Sequence, residues 1–206
     1  MTRRSLAAAK GLVWIASLAP LALLVAGAFG FAGQSLGPNP VEFVLHTMGK
    51  TALNLLLITL AVTPARRLTG YNALVRFRRL LGLFSFFYLV LHFLAYALLD
   101  LRLEWSTLFD DIVERPYITV GMLALAGMIP LAVTSTQKMQ RRLGRRWGKL
   151  HQLIYPIAVL GMLHFLWQTK SVLDPEPWIY IAILAVLLGY RVAHWLRVNR
   201  ARRAYQ

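Results

Sequence analysis

Six long apolar stretches separated by short polar connections set the pattern of this chain. Each is close to the roughly 20 residues that an α-helix needs to cross a hydrocarbon core. They predict membrane-spanning helices near residues 11–31, 45–63, 80–99, 117–134, 150–168 and 178–196. The cluster Gly37-Pro38-Asn39-Pro40 marks a turn outside the membrane. No internal repeat and no low-complexity segment is visible, and the connections leave no room for a second domain. Residues 1–206 therefore read as one all-α membrane domain, a six-transmembrane-helix bundle.

Composition agrees with the pattern. Of 206 residues, 58% are hydrophobic, and the mean hydropathy is +0.55, too apolar for an ordinary soluble domain. The chain has no cysteine. Disulfides, thiolate-ligated haem, cysteine-ligated iron–sulfur clusters and covalent C-x-x-C-H haem attachment are thereby excluded.

The net charge of +15 changes the picture through its placement. Nucleic-acid binding is not implied, because apolar spans break up the basic residues and no single basic domain exists to track a phosphate backbone. Counted by side, one set of connections and ends carries Arg3, Arg4 and Lys10, five arginines from Arg66 to Arg79, six bases from Lys138 to Lys149, and five arginines from Arg191 to Arg203. No acid accompanies them. The other side carries Lys50, Arg102, Arg115 and Lys170 together with all eight acids. The positive-inside rule then expects both termini to be cytoplasmic. Arg3-Arg4 ahead of an apolar run also fits a signal peptide, and small residues lie between Ala28 and Gly33. That run is long for a signal, and its removal would leave five spans, so it is expected to remain as the first helix.

Candidate chemistry lies with the histidines. His92 and His164 sit inside separate apolar runs, where a polar ring needs a partner and is by default a functional-site hypothesis. Counting helical rise, His92 lies about 4 Å and His164 about 7 Å outward of the centre of its span. Two neutral imidazoles at matched depth can ligate a metal, haem iron in particular. The competing reading is that each merely hydrogen-bonds a hydroxyl or carbonyl of a neighbouring helix. Gly82, Ser85, Leu89, His92 and Tyr96 share one side of the third span, where small residues leave room for a flat macrocycle or for close helix packing.

His151 opens the fifth span 13 residues before His164, about 20 Å along a helix. On a straight helix the two rings would point about 140° apart. Pro156 lies between them and is expected to kink the helix. His151 is thus either a ligand of a second site or an interfacial histidine. His46 and His194 are expected to be simple interfacial residues, and the six tryptophans to form an aromatic belt. The basic stretch Lys138–Lys149 carries the topology signal and also suits anionic membrane lipid, an acidic cytoplasmic partner or a phosphate-bearing cofactor. There is no G-x-G-x-x-G fingerprint and no Walker A sequence. A small transporter or channel with a histidine proton relay is the competing function class, weakened because no acid lies in any span core.

The stretch Arg78-Arg79-Leu80-Leu81-Gly82-Leu83, continuing to Leu91-His92, resembles the third span of the MsrQ (YedZ) family. So do Thr134-Ser135, Leu143-Gly144, Trp147, Leu150-His151-Gln152-Leu153-Ile154-Tyr155-Pro156 and His164-Phe165, and the resemblance covers nearly the whole chain. It implies the ferric-reductase-like transmembrane superfamily and a six-helix bundle in the bacterial inner membrane holding haem b, with His92 and His164 as axial ligands of the iron. It implies a non-catalytic electron-transfer subunit. Electrons would come from a cytoplasmic flavin reductase or from quinone, and pass to a periplasmic molybdopterin-containing methionine sulfoxide reductase catalytic subunit. The resemblance also brings FMN, to which no residue is assigned. Two-haem relatives carry a second histidine about 14 residues before the first in span three, where this chain has Arg78. A guanidinium is a poor iron ligand but suits a haem propionate or flavin phosphate. His151 is left to ligate alone, share a looser site, or contact a flavin.

Overall fold

The computed structural model describes residues 3–31, 35–169 and 173–204. Gly33 and Lys170 lie outside the described residues, as do the side chains of Arg3, Arg202 and Arg203. Six helical stretches are long and apolar enough to cross a membrane: Arg4–Ala28, Pro40–Thr69, Asn72–Asp100, Pro116–Val133, Arg145–Gln168 and Pro175–Ala201. All six expected spans are present, and most extend beyond their apolar runs into the flanking charges.

Helix α1 (Arg3–Ala28) contains Pro20, whose missing N–H breaks the hydrogen-bond ladder. The Tyr88 hydroxyl is inserted into the next rung of the same turn. It donates to the Ser17 carbonyl at 2.7 Å and accepts from the Leu21 N–H at 3.2 Å. Helix α2 (Pro40–Thr69) begins where the Asn39 side chain accepts from the Glu42 N–H, with Pro40 in the first turn, where its missing donor costs nothing. It ends at Gly70, which takes the left-handed conformation at φ 71°. Helix α3 (Val75–Ala95) continues through a π-helical turn at Tyr96–Asp100, a distortion frequent at functional sites.

A short amphipathic helix, α4 (Trp105–Glu114), follows and was not expected from the apolar runs. Helix α5 (Pro116–Val133) starts on its proline. The basic connection then folds as α6 (Gln137–Leu143), capped by the Thr136 side chain, and α7 (Arg145–Leu150). A 3-10 turn at His151–Leu153 joins α7 to α8 (Ile154–Gln168), and α9 (Pro175–Ala204) closes the chain. The expected kink at Pro156 is replaced by this turn. Pro156 sits in the first turn of α8, where backbone N–H groups have no intrahelical partner to lose.

Helix α2 is central. One side packs Ala52, Leu55 and Val62 against Phe77, Leu81, Phe84 and Tyr88 of α3. Its other side packs Leu53, Leu56, Leu57 and Leu60 against α5 and α8. Gly82 and Ser85 serve the close α2–α3 contact, one of the two uses their spacing allowed, and Ser85 also lines the cavity beside His92. A Cβ on Gly82 would meet Thr59, and the Ser85 hydroxyl donates to the Ala52 carbonyl at 2.8 Å. Helices α1 and α9 expose Leu12, Ile15, Ile183 and Val186, as lipid-facing helices do.

Candidate functional site: a facing histidine pair in an apolar cavity

His92 on α3 and His164 on α8 line one cavity of about 410 Å³, a volume typical of small-molecule and cofactor sites. Its walls are mainly apolar, including Leu53, Leu56, Leu89, Leu125, Met128 and Ile157. The two imidazole centres are 6.0 Å apart and their planes cross at 80°. With metal–imidazole bonds of about 2 Å, and about 1.1 Å from nitrogen to ring centre, two rings on opposite sides of one metal would lie roughly 6.3 Å apart. The observed spacing matches.

Each ring is oriented by a backbone carbonyl. His92 Nδ1 donates to the Leu45 carbonyl at 3.0 Å, and His164 Nδ1 donates to the Tyr117 carbonyl at 2.7 Å. A carbonyl only accepts, so Nδ1 carries the proton in both rings and Nε2 keeps its lone pair. Metal-ligating histidines are held in this way, with the second nitrogen fixed by a carbonyl or carboxylate. Among the described residues, no three His, Asp or Glu side chains converge as they would around a bare metal ion. Two imidazoles suit a metal that brings its own in-plane donors.

A geometric repeat underlies the pair. Each histidine takes its carbonyl from the residue 47 positions earlier. Each also packs on a glycine one helical turn beyond that carbonyl: a Cβ on Gly49 would stand 3.2 Å from His92 Cε1, and one on Gly121 only 2.8 Å from His164 Nδ1. Leu45, Gly49 and His92 thus correspond to Tyr117, Gly121 and His164 at a constant offset of 72 positions. The pair α2–α3 repeats as α5–α8, although no internal repeat is visible in the sequence. The glycines were missed as site residues. Their signal, a small residue opposite a histidine, emerges only once helices are paired.

The mouth of the cavity is polar and lies at the acid-rich end of the bundle. Lys50 on α2 pairs with Glu176 on α9 at 2.5 Å. His46, expected to be merely interfacial, lines this mouth, and its Nε2 lies 3.5 Å from Gln168 Nε2. Tyr96 donates to the buried carboxylate of Asp111, which also accepts from Arg115 Nε at 3.0 Å. Arg115, at the junction of α4 and α5, is held above the ordinary guanidinium range by Tyr117 and by Asp111, with burial opposing.

His151 is not part of this cavity. Its Nε2 lies 3.1 Å from the Thr134 hydroxyl, which donates onward to the Pro130 carbonyl at 2.6 Å, so Nε2 carries the proton and donates. Its ring stacks on Trp147 at 4.0 Å, and Trp147 Nε1 donates to the Thr134 carbonyl at 2.9 Å. Arg78, partly exposed on α3, lies within electrostatic reach of His151 at the basic end of the bundle.

Comparison with known proteins agrees with the architecture. Residues 48–162 match the family described as ferric reductase like transmembrane component, a stretch that contains His92 and His151 and stops just short of His164. A protein of Xanthomonas axonopodis pv. citri named protein-methionine-sulfoxide reductase heme-binding subunit MsrQ is 53% identical over 202 residues, covering 96% of this chain and 91% of that one. Proteins of the same name from Xanthomonas campestris pv. campestris and Ralstonia nicotianae are 52% and 51% identical, covering 96% and 92% of this chain and 91% and 87% of theirs. With six spanning helices, a paired-histidine cavity and identity of this extent, the chain is a multi-pass membrane protein that belongs to the MsrQ family of ferric-reductase-like transmembrane components.

Proposed function

We propose that this protein is the haem b-binding, electron-transferring membrane subunit of a methionine sulfoxide reductase system, with His92 and His164 as the axial ligands of one haem. The observation that carries this reading is the pair of imidazoles 6.0 Å apart, each with Nδ1 tied to a carbonyl and Nε2 left as a lone-pair donor. The haem would supply reversible one-electron exchange at its iron. The residues of this chain hold the rings, exclude water with an apolar wall, and set the local polarity that tunes potential. Two histidine ligands leave no open position, which favours electron transfer over oxygen chemistry.

The single transmembrane unit, residues 1–206, would lie in the bacterial inner membrane with both termini cytoplasmic, since nineteen basic residues and no acid occupy one end. The cavity mouth would then face the periplasm. Electrons would enter from a cytoplasmic flavin reductase or quinone and leave to a periplasmic molybdopterin-containing catalytic subunit. That partner's reaction, sulfoxide to thioether, restores a reversible oxidative lesion in proteins. FMN is given no residue in this proposal. His151 and Arg78 would serve the basic end and not the outer haem. A proton relay through the histidine pair is disfavoured, because the carbonyls that hold both Nδ1 protons cannot themselves donate in return.

The test is spectroscopic. In His92→Ala and in His164→Ala, haem absorbance at the outer site should vanish while the protein still inserts and accumulates. Reduced-minus-oxidised spectra of wild-type intensity in both variants would refute the assignment. A colourless wild-type preparation from haem-sufficient cells would return the protein to the transporter class.

A further inference from the structure

Helix α4 joins the acid-rich ends of two spans with almost no slack. The third span ends at Asp100, four residues lead to Trp105, and Arg115 alone separates Glu114 from the fourth span at Pro116. In the first link Arg102 and Leu103 take the left-handed conformation, at φ 52° and 64°. The Leu103 N–H donates back to the Ala97 carbonyl at 2.9 Å, so the chain leaves the direction of the span within one turn. Ten helical residues extend about 15 Å. With both ends tied to span ends, α4 lies along the membrane boundary and does not rise from it.

The helix has three sectors. Leu108 and Asp111 are buried against the bundle. Asp111 accepts from the Tyr96 hydroxyl and from Arg115 Nε, and the Thr119 hydroxyl of α5 donates to the Ile112 carbonyl. Trp105, Phe109 and Val113 recur every four residues, which places them on one stripe about 80° wide. Their surfaces are 57, 67 and 82% exposed. Ser106, Asp110 and Glu114 form the next stripe, exposed and polar. Leu98, Leu99 and Leu103, on the chain leading into α4, are exposed as well.

An apolar stripe beside a polar one, on a helix held at the boundary depth, is the pattern of a helix lying in the membrane interface. Tryptophan is favoured at that depth because its indole is apolar with a polar edge. The polar stripe carries acids, and no lysine or arginine occurs between Trp105 and Glu114. Attraction to anionic headgroups is therefore not what holds the helix down. Burial of the three apolar side chains is.

We propose that α4 is an interfacial anchor, whose Trp105, Phe109 and Val113 insert into the lipid leaflet at the acid-rich end while Ser106, Asp110 and Glu114 face water. The anchor also bears on the cavity. Asp111 lies about opposite the stripe and holds Tyr96, a residue of the cavity wall one helical turn beyond His92. This role requires only that the chain spans a membrane, and it stands independently of the haem reading.

The experiment uses the absence of cysteine, since each substituted cysteine is then unique. Full-length Phe109→Cys, Val113→Cys, Ser106→Cys and Asp110→Cys carry a nitroxide label in phosphatidylcholine nanodiscs, with no other protein present. Electron paramagnetic resonance then reads collisions with molecular oxygen, which concentrates in lipid, and with a water-soluble nickel chelate. Labels at positions 109 and 113 should favour oxygen severalfold over those at 106 and 110, which should favour the chelate. All four sites are exposed, so the labels disturb no packing. Should one stripe variant fail to fold, Trp105→Cys takes its place. Chelate access at 109 and 113 equal to that at 106 and 110 would mean the stripe stands in water, open to a soluble protein, and overturns the proposal. Poor access of both reagents at 109 and 113 would mean a second copy of the chain covers the stripe, and overturns it too.

Discussion

Gly121 and His164 are packed so closely that a methyl group on the glycine would stand 2.8 Å from the imidazole Nδ1 and 3.0 Å from Cε1. The imidazole can donate to the Tyr117 carbonyl only because the neighbouring turn of α5 has no side chain there. Gly49 serves His92 in the same way with slightly more room, 3.2 Å.

Gly121→Ala should therefore displace the His164 ring. Overpacking of this kind costs about 1–3 kcal/mol, and the ring sits where that strain is most easily relieved. The expected outcome is haem content reduced by more than half, with a shifted midpoint potential for what remains. Gly49→Ala should do the same more weakly. Haem-to-protein ratios and redox titrations of the two variants check the order.

Tyr88 is fully buried, and its hydroxyl bridges Ser17 and Leu21 in the rung of α1 next to the break that Pro20 makes. Tyr88→Phe removes that bridge, so the Ser17 carbonyl and the Leu21 N–H must close on each other or go unpaired, at a cost of about 1–3 kcal/mol. Amide exchange in α1 should rise sharply while the histidine-pair absorbance stays as in wild type. Unchanged protection around residues 17–21 would contradict this role.

Thr134 holds both His151 and Trp147 at the basic end, the ring through its hydroxyl and the indole through its carbonyl. Thr134→Val removes only the first of these. The expected loss is about 1 kcal/mol of stability, the net worth of a typical hydrogen bond, with no change in the spectrum of the outer site. If His151 instead ligates that same iron, the axial-ligand signature in electron paramagnetic resonance will change.

Topology is testable by fusion. A fluorescent protein that matures only in the cytoplasm should be bright when fused after Gln206, and alkaline phosphatase fused there should be inactive. Inserting the phosphatase into the connection at residues 101–104 should restore its activity.

Much of this architecture is legible in the chain. Runs of about 20 apolar residues and one-sided charge are properties each segment carries by itself, so the six helices and the two ends of the bundle follow from counting. His92 and His164 stand out for the same reason, as costly rings in apolar runs. Other features resist such reading. Helix α4 is only ten residues long and hides between two spans. The break before α8 comes at His151 rather than at Pro156, because a proline in a first helical turn loses no hydrogen bond. His46 lines the cavity mouth because the ends of α2 and α8 meet there.

Local hydrophobic length, charge sidedness and the rarity of buried imidazoles are written residue by residue, and they establish the class of this protein and single out its candidate site residues. Which ring nitrogen is tied down, which glycines cradle the rings, and how Arg191 reaches the Leu60 carbonyl depend on contacts between residues 43 to 131 positions apart. Those contacts exist only after α2 has packed against α3, and α5 against α8. Helix packing brings distant carbonyls, glycines and guanidiniums within a few ångströms, and no run of consecutive residues encodes that distance.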